Sequence, residues 1–239
     1  MLRVVRIVKI EIWSDIACPW CYIGKRRFEA ALEGFAHKDD VEVRWRSYQL
    51  DPSLPAHYEG TELQYLSERK GLPAERVAGM FGQVAEQAAG VGLRYDFDAL
   101  VVANSFAAHQ LLHLASAHGK ADGMKEYLLS AHFEKGEDIG SREFLLRAAS
   151  ALGLDEAETV AALEEERYAE DVRADIAEAQ ELGITGVPFF VIDRKYGVSG
   201  AQPSELFRQV LEEAWQEAHP LVMVPSEGGE ACGPDGCAI

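Results

Sequence analysis

Apolar and polar residues alternate in part along residues 4–13, V-V-R-I-V-K-I-E-I-W, and again over residues 41–48, where Val41, Val43 and Trp45 are separated by charged neighbours. Both patterns predict strands. From Pro19 the period changes: Phe28, Ala31, Leu32 and Phe35 recur at three- and four-residue spacing, with Gly34 and the polar run 37–40 closing the helix. The first fifty residues therefore predict β-α-β.

Over residues 51–182 the period is helical almost throughout. Thr61 with Gln64 forms a capping-box signature and Gly71 a stop; Pro73 opens the next helix, with Val77, Met80, Phe81 and Val84 on one face and Gly90 near its end. Further helices are predicted over 104–118, 124–135, 141–152 and 155–182, the last broken or bent near Tyr168. After Gly183 the pattern turns again. F-F-V-I-D and Y-G-V-S-G predict a hairpin with a tight turn at Arg194 and Lys195, and Pro203 opens a helix with Leu206, Phe207, Val210, Leu211 and Ala214 on one face. This β-β-α half, with the β-α-β half before it, predicts one α/β domain made of residues 1–50 and 183–220, an all-helical insertion over 51–182, and a Gly-rich acidic tail over 221–239 that is expected to be mobile.

Composition narrows the function classes. With 239 residues and 48% apolar composition the chain can bury a core without covalent staples. A formal charge of −17, from 40 acidic and 23 basic residues, opposes binding to nucleic acid. The apolar stretches fall short of the roughly 20 residues a membrane-spanning helix needs. Arg3, Arg6, Lys9 and Glu11 interrupt any signal-like apolar core at the N-terminus, so the expected location is the cytoplasm. There thiols are kept reduced, and cysteine pairs read as catalytic, redox-sensing or metal-binding before they read as structural.

All four cysteines fall into two close pairs: C-P-W-C at Cys18 to Cys21, and C-G-P-D-G-C at Cys232 to Cys237. A C-x-x-C that follows a strand and opens a helix has its first sulfur at the helix N-terminus, where backbone N–H groups and the macrodipole favour an anion. The expectation is a lowered pKa for Cys18, which acts as nucleophile, with Cys21 one turn on to resolve a mixed disulfide. Trp20 brings no charge, so the effect is milder than a histidine there would give. A zinc half-site and a structural disulfide are the alternatives. The first has no second ligand pair within 200 residues, and a four-residue loop gains little from closure, so no metal site is expected. V-P in T-G-V-P-F-F is open by itself between a trans proline that starts a strand and a cis proline that turns the backbone of Val187 outward to pair with an extended substrate beside Cys18. With C-P-W-C and the two half-domains, the cis reading is favoured. Trp20, Val187 and Pro188 are thus the candidate substrate contacts. The turn-forming centre of the tail pair can bring Cys232 and Cys237 together, and from His219 the chain reaches at most about 45 Å to Cys232; the pair is a candidate auxiliary dithiol. His109 and His113, four apart on one helical face, are expected to be core or pocket histidines. Lys25, Arg26 and Arg27 are either a solvated face or a steering patch for an anionic thiol such as glutathione.

The segments C-P-W-C-Y-I-G-K-R-R-F, A-N-S-F-A-A-H-Q-L-L-H-L-A, G-V-P-F-F-V-I-D and V-S-G-A-Q-P resemble the DsbA-like branch of the thioredoxin superfamily, and most closely its FrnE-like group. The resemblance implies a thioredoxin fold with a helical insertion, Cys18 as nucleophile, Cys21 as resolving cysteine and Pro188 as the facing cis proline. It further implies thiol–disulfide exchange with protein or small-molecule partners and no bound cofactor, with glutathione as a possible co-substrate. The related 2-hydroxychromene-2-carboxylate isomerases and kappa-class glutathione transferases carry serine at the position of Cys18. A glutathione-dependent isomerase or transferase, and a metal-responsive or redox-switched thiol protein, are the rival functions.

Overall fold

The computed structural model describes residues 6–55 and 58–220. A four-stranded sheet has the order β2-β1-β3-β4, formed by β1 (Val8–Ser14), β2 (Val41–Ser47), β3 (Phe189–Ile192) and β4 (Tyr196–Ser199). β1 and β2 are parallel, in register from Val8 opposite Val41 to Ser14 opposite Ser47, and β1–β3 and β3–β4 are antiparallel. The parallel pair needs a crossover, and α1 (Pro19–Glu33) supplies it. This is the predicted β-α-β and β-β-α arrangement. The hairpin turn is centred on Asp193 and Arg194, not on Arg194 and Lys195: both have positive φ, 48° and 57°, and Lys195 N–H donates to the Ile192 carbonyl at 2.9 Å. Two left-handed residues match the twist of the strands they join.

Side-chain alternation in β1 sends Val8, Ile10 and Ile12 to one face and Trp13 to the other. On the first face α1 meets α9 (Ser204–Ala218) around a triangle of Phe28, Phe190 and Phe207, with ring centres 4.5 to 5.7 Å apart. Phe207, Leu211 and Ala214 of α9 are buried, but Leu206, expected on that face, is 37% exposed. The second face is covered by α8 (Ala169–Glu181), where the Trp13 indole donates to the Asp175 carbonyl and Ser47 N–H to the Asp175 carboxylate.

Between the two halves of the sheet the chain is helical: α2 (Glu62–Lys70), α3 (Ala74–Ala89), α4 (Phe106–Ala117), α5 (Ala121–Lys135), α6 (Arg142–Ala151), α7 (Glu156–Glu164) and α8. The capping box of Thr61 and Gln64 is formed, and Gly71 ends α2 in the left-handed conformation. The predicted 155–182 helix is two helices, separated where Glu166 takes a φ of 47° just before Tyr168. One large core runs from the sheet into α4–α7, so the helical block shares its interior with the α/β layer.

Candidate active site

β1 ends at Ser14, and the loop 15–17 delivers Cys18 to the N-cap position of α1 in an extended conformation, with Pro19 as the first helical residue. Proline fits there because its missing N–H would have no helical partner. Cys21 N–H donates to the Cys18 carbonyl at 3.0 Å, and both thiols are free and buried, 4% and 1% exposed. On the far side, the Val187–Pro188 bond is cis, and the Cys18 thiol donates to the Val187 carbonyl at 3.5 Å. One turn into α1 stands Gly24. A Cβ there would lie 2.8 Å from Pro188 Cγ, so only glycine lets the helix approach the proline this closely.

Beneath the cysteines lies a titratable floor that no motif announced. Asp15 is 1% exposed and accepts from Leu50 N–H at 2.7 Å and from the His109 ring at 3.3 Å. Lys125 of α5 is fully buried, donates to the Ser14 carbonyl at 3.3 Å and lies over the Trp45 ring at 5.5 Å. Burial pushes its pKa down to about 8, against the pull of Cys21, Asp15 and Cys18. Burial also raises Asp15, but the hydrogen bond and charge of His109 with the Leu50 N–H outweigh it and hold the carboxyl below its usual range. His109 is lowered by burial despite Asp15.

The thiols share their first ionisation. The hydrogen bond with Cys21 holds Cys18 well above the ordinary thiol range, reinforced by burial and by Asp15, while the Cys21 N–H at the helix start works the other way. Burial raises Cys21, but its hydrogen bond with Cys18, the charge of Lys125 and a hydrogen bond with Ser14 bring it below the ordinary range. The lowered first ionisation is thus a property of the pair, with a contribution at each sulfur. The helix terminus does act on Cys18, but the buried cation faces the other sulfur.

A cavity of about 400 Å³ opens beside Cys18, walled by Trp20, Leu66, Phe81, Val84, Phe97 and Phe133. Cys21, Val187 and Pro188 do not line it. The apolar face predicted for α3 thus divides: Val77 is buried in the helix packing, while Met80, Phe81 and Val84 face the cavity. The basic run of α1 is no steering patch. Lys25 is 2% exposed between Glu29 and Glu126, Arg26 pairs with the same two acids, and Arg27 donates to the Ala201 carbonyl and Gln87.

A model of the DsbA-like thioredoxin domain matches residues 9–212, which spans both halves of the sheet and the helices between them. The chain belongs to the DsbA-like thioredoxin family. It is similar to a probable DsbA oxidoreductase of Streptomyces coelicolor at 44% identity, with 97% of this chain and 99% of that chain covered and a TM-score of 0.84. It is also similar to the uncharacterised protein YwbO of Bacillus subtilis, 28% identical over 212 residues that cover 86% of this chain and 96% of YwbO. The cytosolic disulfide reductase DsbM of Pseudomonas aeruginosa shares the fold, at 19% identity and a TM-score of 0.62 over 87% of this chain and 99% of DsbM. In this DsbA-like protein the structure brings Cys18, Cys21, Trp20, Val187 and Pro188 into one region; Cys232 and Cys237 lie outside the described residues. Among the described residues no group of three His, Cys, Asp or Glu side chains is placed to hold a metal ion, and no helix is long and apolar enough to cross a membrane. His109 and His113 pair with Asp15 and Asp175 instead, as core histidines do. Sequence reading missed Asp15, Lys125 and Tyr95, whose hydroxyl donates to the Pro19 carbonyl at 2.7 Å. Only Asp15 left a trace, three positions before Cys18.

Proposed function

We propose that the protein is a cytoplasmic thiol–disulfide oxidoreductase in which Cys18 exchanges with substrate and Cys21 resolves. The observation that carries this reading is the unequal setting of two adjacent thiols: Cys18 borders the cavity and the Val187 carbonyl, whereas Cys21 is enclosed above Lys125. In the reducing direction the pair's shared proton shifts to Cys21, and the Cys18 thiolate attacks one sulfur of a substrate disulfide. A Cys18–substrate bond forms, the substrate S–S bond breaks, and the leaving thiolate takes the proton held by Cys21. Cys21, now the thiolate favoured by Lys125, then attacks Cys18 sulfur; the Cys18–substrate bond breaks and the second substrate half leaves as a thiolate that water protonates. The pair ends oxidised and the substrate disulfide reduced, with both electrons accounted for by the two cysteines. The Val187 backbone holds the substrate chain next to Cys18. A thiol such as glutathione would return the pair to its reduced state, and Cys232 with Cys237 would serve as an auxiliary dithiol. A chain ending at Pro225 with unchanged exchange kinetics overturns the auxiliary role.

The test of the main reading is a trap. Cys21→Ala, treated with 2-hydroxyethyl disulfide, is expected to retain one adduct on Cys18 by mass spectrometry, while the parent protein releases it. No adduct, or the same adduct on Cys18→Ala, overturns the assignment. Turnover of a non-disulfide substrate with glutathione that survives Cys21→Ala would point to the isomerase function instead.

A further inference from the structure

The cavity beside Cys18 contains more information about substrate than the exchange chemistry needs. Its side walls come from α2, α3 and α5, so it lies against the helical block and away from the Val187–Pro188 segment on the other side of the sulfur. A disulfide bound at Cys18 is thus met on two sides: a backbone edge at Val187 and an apolar cavity at Trp20. Trp20 and Met80, 38% and 37% exposed, extend that apolar surface to the mouth. We infer that the disulfide substrate served by this site carries a compact, uncharged apolar group of aromatic-ring size that enters the cavity, in place of a charged peptide. The inference rests on the exchange reading above.

The apolar walls favour an uncharged group, two observations oppose an anion there, and a third leaves the wall neutral at His132. First, the acids of the cavity oppose an anion: Asp15 stands at its inner end, and Glu62 lines the wall with no ion pair among the described residues. Burial raises the Glu62 carboxyl to about 7. Second, the one arginine on the wall is engaged: Arg69 Nε lies 3.0 Å from the Asp51 carboxylate, which also accepts from Tyr65. A carboxylate of the ligand would leave water with no free cation among the described lining residues to receive it, apart from Lys70. Third, His132 on the cavity wall is 2% exposed, and burial keeps its ring neutral at neutral pH. A volume of about 400 Å³ holds a substituted ring but not a folded chain segment.

The experiment uses the full-length protein. Binding is measured first with phenylethyl methyl sulfide, a thioether that cannot exchange, by isothermal titration. Saturable binding is expected, and its weakening by Val84→Trp, which fills the cavity. Turnover is then compared for bis(phenylethyl) disulfide, 2-hydroxyethyl disulfide, oxidised glutathione and insulin. The phenylethyl compound is expected to exceed hydroxyethyl disulfide in kcat/KM by on the order of thirtyfold, from the ring area buried, and to exceed glutathione disulfide as well. In Val84→Trp that ratio should collapse toward one; a misfolded variant would lose all substrates together. Hydroxyethyl disulfide turnover with no thioether binding and a ratio near one overturns this inference alone. More efficient turnover of insulin than of the phenylethyl disulfide overturns its small-molecule assignment. If none of the four disulfides is reduced, the exchange reading itself fails.

Discussion

Lys125 changes the electrostatics of the dithiol by sitting under one sulfur and not the other. It is fully buried, hydrogen-bonds only a backbone carbonyl among the described residues, and carries a charge that favours thiolate on Cys21. Lys125→Met keeps the volume and removes the cation. The pH at which the pair first ionises is then expected to rise by about one unit, the size typical of a lost opposite charge at close range, read as thiolate absorbance near 240 nm. A packing defect alone would lower thermal stability and leave that midpoint in place. Because burial depresses Lys125 to about 8, the thiolate loses its cationic partner above that pH in the parent protein as well. Nothing in the sequence around Lys125 marks it: it follows Met124 and precedes Leu128 and Leu129, three core residues, and reads as an ordinary lysine on a mixed helix face. Its role exists only because α5 packs against β2, which brings Lys125 to the carbonyl at the end of β1, a contact set by tertiary packing and not by local pattern.

The elements themselves were legible. Strand alternation, the Thr61 capping box, Pro19 and Pro73 at helix starts and Gly71 at a helix end each act over a few residues, and the structure follows them. What local pattern could not distinguish is an apolar face that packs from one that lines a cavity, which is why Val77, Phe81 and Val84 read alike as one helix face. Nor could it separate a solvated basic run from the buried Lys25. Gly24 shows the opposite case, an element whose sequence looks suboptimal in isolation. Alanine in mid-helix is favoured over glycine by about 1 kcal/mol, yet a Cβ would press on Pro188 at 2.8 Å. Gly24→Ala is therefore expected to be net destabilising, by about 1 kcal/mol once overpacking of 1–3 kcal/mol is set against the propensity gain. It should also slow capture of disulfide by Cys18, since the Val187 carbonyl moves with Pro188. Urea melts and trap kinetics together check this; a stabilised variant with unchanged kinetics would mean that the helix and proline separate at no cost.

At the scale of the whole molecule, acid acts on the buried floor and on the acidic surface with opposite signs. The surface, at a formal −17, loses self-repulsion as carboxylates take up protons, and this steadies the fold as pH falls toward the sequence pI of 4.8. The interior resists. Burial lowers His132 to about 4 from an ordinary value of 6.5, so the unfolded chain binds a proton there that the folded chain refuses. A depressed histidine contributes stability above pH 6.5 that is lost as pH falls toward 4, about 1.4 kcal/mol per unit. Asp15 and Asp175, also depressed, withdraw theirs only below the ordinary aspartate range. The surface contribution cancels when two proteins differ only in the interior, so the comparison is between the parent and His132→Leu. Between pH 7 and pH 5 the parent is expected to lose about 2 kcal/mol relative to the variant, measured by urea unfolding at each pH. An equal pH dependence for the two would mean that His132 ionises freely in the folded state, and that the cavity floor beside Cys18 is open to water.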